Sequence, residues 1–353
     1  MDLLTIDIIK IFTLGVLAFF LAFFLTPILT YFLYKYKFWK KEVKTKAIDG
    51  GELPIFQKFH KEGETKIPRG GGVLFWLTTL LLAFLFFIFS KITNIWWLDK
   101  LNFLSREQTW LPLFALVVAS LIGLSDDILT IKGKGKYIGG GFSLKIRLFL
   151  ISIIGLVSGY WFYFRLGWNT LHIPGLGPIE IGILYIPLFI LVMLAVYSSG
   201  IIDGLDGLAG GTFASIFTAF TIIAIWRGQI DLAAFCLIIV GTLLAFLWFN
   251  IPPARFYMGE TGSMGLTVTL TVIAFFTDSV LILPIIGFLL VVWSSSVIIQ
   301  LFSKRFLKKK VFIAAPIHLH LQEKGWPHYK ITMRMWLIGA VMAIIGITIS
   351  LLG

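Results

Sequence analysis

The 353-residue chain is too apolar for an ordinary soluble protein, with 58% hydrophobic and 14% charged residues and a mean hydropathy of +0.93. Soluble globular domains are about 45–50% apolar and about 25% charged. The composition therefore predicts an integral membrane protein with several spans of about 20 residues each. The single cysteine, Cys236, lies in an apolar run and excludes a disulfide framework or a cysteine-based metal site.

Ten apolar segments are predicted to be membrane-spanning helices. They cover approximately residues 8–33, 72–89, 111–124, 146–164, 183–197, 213–225, 232–249, 264–276, 280–301 and 335–352. The first is too long for a cleaved signal peptide, so we expect a permanent helix. Residues 166–182 are predicted to form a short hairpin or re-entrant cap. The predicted fold is an all-α bundle that forms one polytopic domain over residues 1–353.

Positive charges are concentrated in alternate loops. The loops after helices 1, 3, 5, 7 and 9, together with Arg147 at the start of the fourth helix, contain 24 of the 30 Lys and Arg residues. Because cytoplasmic loops are enriched in these residues, we expect these loops in the cytoplasm and both termini outside. The net charge of +12 then suits anionic lipid headgroups and phosphate-bearing substrates, and juxtamembrane placement argues against nucleic acid as a partner.

Four of these loops carry the candidate acids and histidines of a site. They are Asp126 and Asp127 in GLSDD after the third helix, Asp203 and Asp206 in DGLDGLAGG after the fifth, Glu260 in MGETGS after the seventh, and His318 and His320 in APIHLH after the ninth. Whole helices separate these loops in sequence, yet alternation places them at one face of the membrane. A helical bundle can therefore bring them together in one site.

The adjacent carboxylates of Asp126 and Asp127 repel each other unless a cation or a basic group lies nearby. We therefore predict Mg²⁺ binding or a proton-handling role, with Lys132, Lys134 and Lys136 as further partners. The alternative is that the pair is only a solvated helix end.

The DGLDGLAGG segment reads as a glycine-rich turn that opens the sixth helix. Glycines allow close backbone approach, and free N–H groups at a helix start favour phosphate, so this turn also suits phosphate binding.

Glu260, with Thr261 and Ser263 beside it, is either part of a helix cap or a ligand for a Mg²⁺–diphosphate. His318 and His320 are too few for a Zn²⁺ site, which leaves phosphate contact or proton transfer. The combined inventory predicts Mg²⁺-assisted phosphoryl transfer to or from a lipid phosphate.

These motifs resemble those of the polyprenyl-phosphate N-acetylhexosamine-1-phosphate transferases, and most of all the phospho-N-acetylmuramoyl-pentapeptide transferase branch. The resemblance runs from PIFQKFHKEGETKIPRGGG to GWPHYKITMRMW, and its most specific marks are GLSDD, DGLDGLA, PARFYMGETGS and KKKVFIAAPIHLH. It implies a ten-helix protein of the bacterial plasma membrane with Mg²⁺ as cofactor, and it suggests a homodimer. The implied reaction moves phospho-MurNAc-pentapeptide from UDP to undecaprenyl phosphate, giving lipid I and UMP in peptidoglycan synthesis.

The resemblance also implies roles for individual residues. The implied catalytic residues are Asp126, Asp127, Asp203, His318 and His320, and the implied metal ligands are Asp203 and Glu260. The implied substrate-binding residues are Gly204, Leu205, Asp206, Tyr257, Asn250, Lys132, Arg147 and Lys66, with Tyr257 expected to stack on uracil.

The chain departs from the family pattern at several positions. The departures are Glu260 for the usual Asp, Leu319 for the middle histidine of a run of three, Thr130 for a lysine, Tyr197 and Gly200 for two asparagines, and IPRGGG for TPTMGG. They leave open a sibling transferase that uses UDP-GlcNAc or another UDP-hexosamine, and a non-catalytic paralogue. A transporter is disfavoured, because its ionisable residues would lie near the bilayer midplane and not at helix ends. Direct attack by the lipid phosphate and a phospho-enzyme route both remain open.

Overall fold

The computed structural model describes residues 3–41, 51–52, 54–135 and 140–353, so Lys136 lies outside the described residues. Apart from one hairpin and the connecting loops, these residues are helical. The helices are α1 (Leu3–Lys35), α2 (Pro54–Lys66), α3 (Val73–Ile92), α4 (Trp96–Leu101), α5 (Trp110–Ile131), α6 (Leu144–Tyr160), α7 (Tyr185–Ser198), α8 (Leu208–Trp226), α9 (Ile230–Asn250), α10 (Gly259–Phe276), α11 (Leu283–Ile286), α12 (Phe288–Phe302), α13 (Ile317–Glu323) and α14 (His328–Leu352).

Nine helical stretches of the described chain are long and apolar enough to cross a membrane. They contain α1, α3, α5, α6, α7, α8, α9, α12 and α14, with short 3-10 or π-helical turns extending α6, α7 and α12. Large apolar side chains such as Phe24 and Leu337 are exposed on their outer faces. Lipid tails suit such faces, because hydrocarbon offers no hydrogen bonds to polar groups. The predicted all-α membrane bundle is confirmed.

The remaining long helix, α10, lies at the centre of the bundle. Every residue of α10 except Glu260 is buried, and the helix packs against α3, α5, α7 and α8. The hydroxyls of Thr267 and Thr271 donate to carbonyls one turn earlier in the helix, so these polar side chains are satisfied despite their burial. The ten predicted segments thus correspond to ten long or broken helices, one of which is surrounded by protein.

Two predicted helix boundaries were wrong in a way that moves the acids. The predicted segment 111–124 continues to Ile131, and the predicted segment 264–276 begins at Gly259. Asp126, Asp127 and Glu260 therefore lie within helices and do not follow them in loops. The helices extend this far because hydrogen bonds and an ion pair satisfy these carboxylates, which then need no contact with water. The predicted segment 280–301 is broken at Gly287 into α11 and α12.

The predicted hairpin is present between α6 and α7. Strands β1 (Thr170–Ile173) and β2 (Gly177–Glu180) pair antiparallel. Two short helices were not predicted: α2, between α1 and α3, and α13, between α12 and α14. They contact each other. An ion pair of 3.1 Å between Lys58 Nζ and Glu323 Oε2 links them.

Candidate active site

Asp127 caps the N-terminus of α10. Its Oδ1 accepts a hydrogen bond from the Glu260 N–H (3.1 Å), and its Oδ2 accepts from the Thr261 N–H (2.9 Å) and hydroxyl (2.7 Å). A helix cannot satisfy its first N–H groups internally, and its dipole favours a carboxylate there. The close approach of α5 requires glycine at position 123, because a Cβ on Gly123 would lie 2.2 Å from the Glu260 carbonyl oxygen. Asp127 therefore fixes the backbone that carries Glu260.

Arg147 joins Asp126 to Glu260. Its Nη2 lies 2.9 Å from Asp126 Oδ2 and its Nη1 lies 2.7 Å from Glu260 Oε1. The Asp126 Oδ1 also accepts a 2.6 Å hydrogen bond from the Phe142 N–H. Asp126 is fully buried, whereas 28% of the Glu260 side chain is exposed. Because a buried charge is costly unless it is paired, Arg147 allows the two acids to lie close together.

Asp203 and Asp206 lie in the loop that leads into α8. Asp203 accepts a hydrogen bond from the Gly259 N–H (3.2 Å), so it also lies at the start of α10. Asp206 accepts from the Ala254 N–H (3.0 Å). Both acids are only partly buried. The loop therefore adds a fourth carboxylate, that of Asp203, to those of Asp126, Asp127 and Glu260.

The environment of Asp203 changes its protonation. Burial raises the pKa of Asp203 to about 7; Arg69 and the Gly259 N–H oppose the rise, and repulsion from Asp127 and Glu260 adds to it. A carboxyl group with a pKa near neutrality can take up or release a proton at physiological pH. Asp203 is thus chemically suited to proton transfer.

Asn250 connects the loop that carries Asp203 and Asp206 (the acidic loop) to the loop between α9 and α10. Its side-chain oxygen accepts from the Gly207 N–H (2.9 Å), and its amide nitrogen donates to the Phe256 carbonyl (2.8 Å). The indole N–H of Trp336 donates to the Gly207 carbonyl (3.1 Å). Asn250 is 3% exposed, so its geometry suits it to holding two loops in place.

A cavity of about 250 Å³ opens beside the acidic loop. Its walls include Asp203, Gly204, Leu205 and Asp206, together with Tyr257, and α2 contributes Phe56 and Phe59. Five residues predicted to contact substrate or metal therefore border one cavity.

The two predicted histidines have different surroundings. His318 is buried and its Nδ1 accepts a hydrogen bond from the Trp293 indole N–H (3.0 Å). Its ring lies against Gly204, where a Cβ would be 2.5 Å from His318 Cε1. His320, on another side of α13, accepts from the Ile313 N–H (3.2 Å). The fold thus brings His318, and not His320, to the acidic loop.

Two predicted lysines lie at exposed positions. Lys132 follows α5 and Lys66 ends α2, and both are exposed. Arg69, three residues after Lys66, lies among the acids instead. Its Nη2 pairs with Glu64 Oε1 (2.6 Å).

Arg69 is the candidate residue that the sequence reasoning missed. Burial lowers its pKa, but Glu64, Asp127, Asp203 and Glu260 act in the opposite direction and leave it raised. Arg69 therefore carries a positive charge next to the carboxylates.

The glycine run after Arg69 explains this placement. The N–H groups of Gly71 and Gly72 donate to the carbonyls of Tyr257 and Met258, each at 2.9 Å. A Cβ on Gly72 would lie 2.1 Å from the Gly262 nitrogen, so only glycine allows this segment to contact the first turn of α10. The run GGG directly after an arginine was the signal that could have found it.

The site is suited to a divalent cation that is completed by substrate. Among the described residues, no group of three His, Cys, Asp or Glu side chains could hold a metal ion. Mg²⁺, however, commonly takes one or two carboxylates and fills its other positions with water and substrate phosphate. Asp203 and Glu260 at the start of α10 offer two such carboxylates. The four carboxylates of the site also outnumber its two arginines, which favours an added positive charge.

Comparisons with known proteins agree with this architecture. A sequence model described as Glycosyl transferase family 4 matches residues 109–278, from the start of α5 to just beyond α10. A phospho-N-acetylmuramoyl-pentapeptide-transferase of Geobacillus sp. is 32% identical over 338 residues, which is 95% of this chain and 96% of the relative. The chain belongs to the phospho-N-acetylmuramoyl-pentapeptide transferase family.

Other members of that family match over similar lengths. The relative of the same name from Anoxybacillus flavithermus is 31% identical over 342 residues, 96% of this chain and 97% of its own length. The one from Chloroflexus aurantiacus is 30% identical over 332 residues, 86% of each chain. The family predicted from the motifs is confirmed, and together with the nine candidate spans it identifies a multi-pass protein of the bacterial plasma membrane.

Proposed function

We propose that this protein transfers phospho-MurNAc-pentapeptide from UDP to undecaprenyl phosphate, with lipid I and UMP as products. The observation that carries the proposal is the convergence of acids from two helix ends and one loop beside a cavity, in a chain of this family. Asp126, Asp127 and Glu260 lie where α5 meets α10, and Asp203 joins them through Gly259. Such a group of oxygen ligands and arginines suits charge stabilisation during phosphoryl transfer.

The contacts divide the acids into two roles. Asp127 accepts three hydrogen bonds and Asp126 is paired with Arg147, so we assign both to positioning Glu260. Asp203 accepts one hydrogen bond and borders the cavity. Asp203 is therefore the acid best placed to contact substrate and to accept the proton of a lipid phosphate.

Asp203 and Glu260 would hold Mg²⁺ in this proposal. The bound ion would neutralise charge on the donor diphosphate and orient it. Arg147 orients Glu260 through their ion pair, and Asp127 holds the first turn of α10 in place. His318, supported by the Trp293 indole, is assigned to phosphate contact near Gly204.

The cavity is assigned to the uridine end of the donor. Tyr257 offers an aromatic face for uracil, and Gly204 and Leu205 offer the adjacent wall. With a volume of about 250 Å³, the cavity is at or below the lower end of the range for whole ligand sites, about 300–1,000 Å³. The sugar and pentapeptide therefore lie outside it. We place this end of the bundle in the cytoplasm on the basis of the basic loops, where UDP-linked donors and the lipid phosphate meet.

The test is UMP release by the purified protein with Mg²⁺, undecaprenyl phosphate and one UDP-sugar at a time. We expect release with UDP-MurNAc-pentapeptide and none with UDP-GlcNAc. Release with UDP-GlcNAc alone would replace our donor with that of the sibling enzymes, and no release with any donor would refute the enzymatic proposal. A single-turnover reaction without the lipid separates the two routes, because UMP then appears only if the phosphosugar is transferred to the protein.

A further inference from the structure

Arg69 has more hydrogen-bonding capacity than the protein uses. A guanidinium has five N–H donors, and in the described part of the chain Arg69 uses one of them, from Nη2 to Glu64 Oε1 at 2.6 Å. Its Nε is buried without an acceptor among the described residues. A fifth of the side chain remains exposed, and Arg69 forms part of the cavity wall.

The charge of Arg69 is also not cancelled by Glu64. Lys40 Nζ lies 2.6 Å from the other oxygen of Glu64, and both side chains are buried. The charges and hydrogen bonds of Arg69 and Lys40 lower the pKa of Glu64 to about 2, against the effect of burial. One carboxylate is therefore shared by two cations, and the pair Lys40–Glu64 is neutral by itself. Glu64 alone therefore does not neutralise Arg69, which also lies near Asp127, Asp203 and Glu260 and borders the cavity.

A diphosphate that enters this cavity needs such a charge. Asp203 and Asp206 both border the cavity, and their carboxylates would repel a phosphate. Among the described residues that form the cavity wall, Arg69 is the only Lys or Arg. Its planar fork is also the geometry that suits phosphate oxygens.

Resting on the proposed function, we infer that Arg69 binds a phosphate of the uridine diphosphate donor. We further infer that Glu64, held by Lys40, is a positioning residue that aims the guanidinium into the cavity. The segment that carries Arg69 reads IPRGGG where the family pattern reads TPTMGG. The contact with Arg69 adds a phosphate-dependent part to the affinity of the site, beside the contact assigned to uracil at Tyr257.

The experiment compares the equilibrium binding of uridine and UDP to the purified protein, with and without Mg²⁺. For Arg69→Gln we expect UDP to bind about 10- to 100-fold more weakly, which corresponds to the loss of a charge-assisted hydrogen bond. Uridine binding is expected to change less than about threefold. The matched control is Arg305→Gln, which makes the same substitution at an exposed position outside the cavity wall and should leave both affinities unchanged.

Two further variants keep the inference testable if Arg69→Gln does not fold. Arg69→Lys retains the charge and should lose less UDP affinity than the neutral variant. Glu64→Gln retains Arg69 and should weaken UDP without weakening uridine, whereas a purely structural role would weaken both. An unchanged ratio of UDP to uridine affinity in the Arg69 variants overturns the inference. If the wild-type protein binds neither uridine nor UDP, the proposed function fails as well.

Discussion

Replacing Asp203 with Asn is expected to stabilise the fold and to abolish turnover. In the folded protein the pKa of Asp203 is about 7, compared with an ordinary value of 3.8, because burial and the nearby acids disfavour its ionised form. A rise of about 3 units corresponds to about 4 kcal/mol, at roughly 1.4 kcal/mol per unit, when the group is forced to ionise. The Asn variant avoids this cost. The figure is an upper limit, because the Asn amide must itself be partly desolvated.

The effect has a defined pH dependence. Below about pH 4 the carboxyl group is protonated in both the folded and the unfolded state, so it does not affect stability. As pH rises to about 7, the unfolded state ionises and the folded state does not, so the wild-type protein becomes progressively less stable than the variant. The difference reaches at most about 2 kcal/mol at about pH 5 and about 4 kcal/mol at about pH 8.

Thermal unfolding in detergent without divalent cations measures this difference. Asp127→Asn is the comparison variant, because its amide nitrogen cannot accept the two hydrogen bonds that Thr261 donates to one carboxylate oxygen, so the midpoint should fall. Added Mg²⁺ should raise the midpoint of the wild-type protein more than that of Asp203→Asn. The reasoning is refuted if Asp203→Asn unfolds at or below the wild-type midpoint at about pH 8, or if the gap does not change with pH.

Three further predictions concern the contacts around α10. Asp127→Asn should lower the free energy of unfolding by about 2–4 kcal/mol, and Thr261→Val, which removes one donor to Asp127, by about 1 kcal/mol; equal losses in thermal unfolding would argue against the cap. Arg147→Met should cost about 3–5 kcal/mol because it leaves two acids unpaired. Adding Asp126→Asn should recover part of that loss, and its failure to do so would contradict the bridge. Glu260→Gln should abolish UMP release from a folded protein whereas Glu260→Asp retains it, and wild-type release by the Gln variant would remove Glu260 from the site.

The membrane class, the number of long helices and the family could be read from the sequence. Hydropathy is a local sum, so any window of about 20 residues reports whether a helix can lie in lipid. The motifs GLSDD, DGLDGLA and MGETGS carry the acids, and their alternation between helices was enough to expect one shared site. The helix ends were harder to predict, because Asp127 and Glu260 are polar and a local hydropathy pattern ends a helix before such residues.

The partners of those acids were decided only by the tertiary structure. Asp127 reaches its hydrogen-bond donors across 133 positions of sequence, and no local pattern reports that distance. Packing at Gly123 and Gly72 sets how closely α5 and the IPRGGG segment approach α10, and that approach places Arg69 beside the acids while Lys66 stays exposed. Composition and periodicity determine which segments enter the membrane. Which charges meet in the site depends on close contacts between distant segments. Those charges can be buried at low cost only when each has a partner of opposite charge or a hydrogen bond.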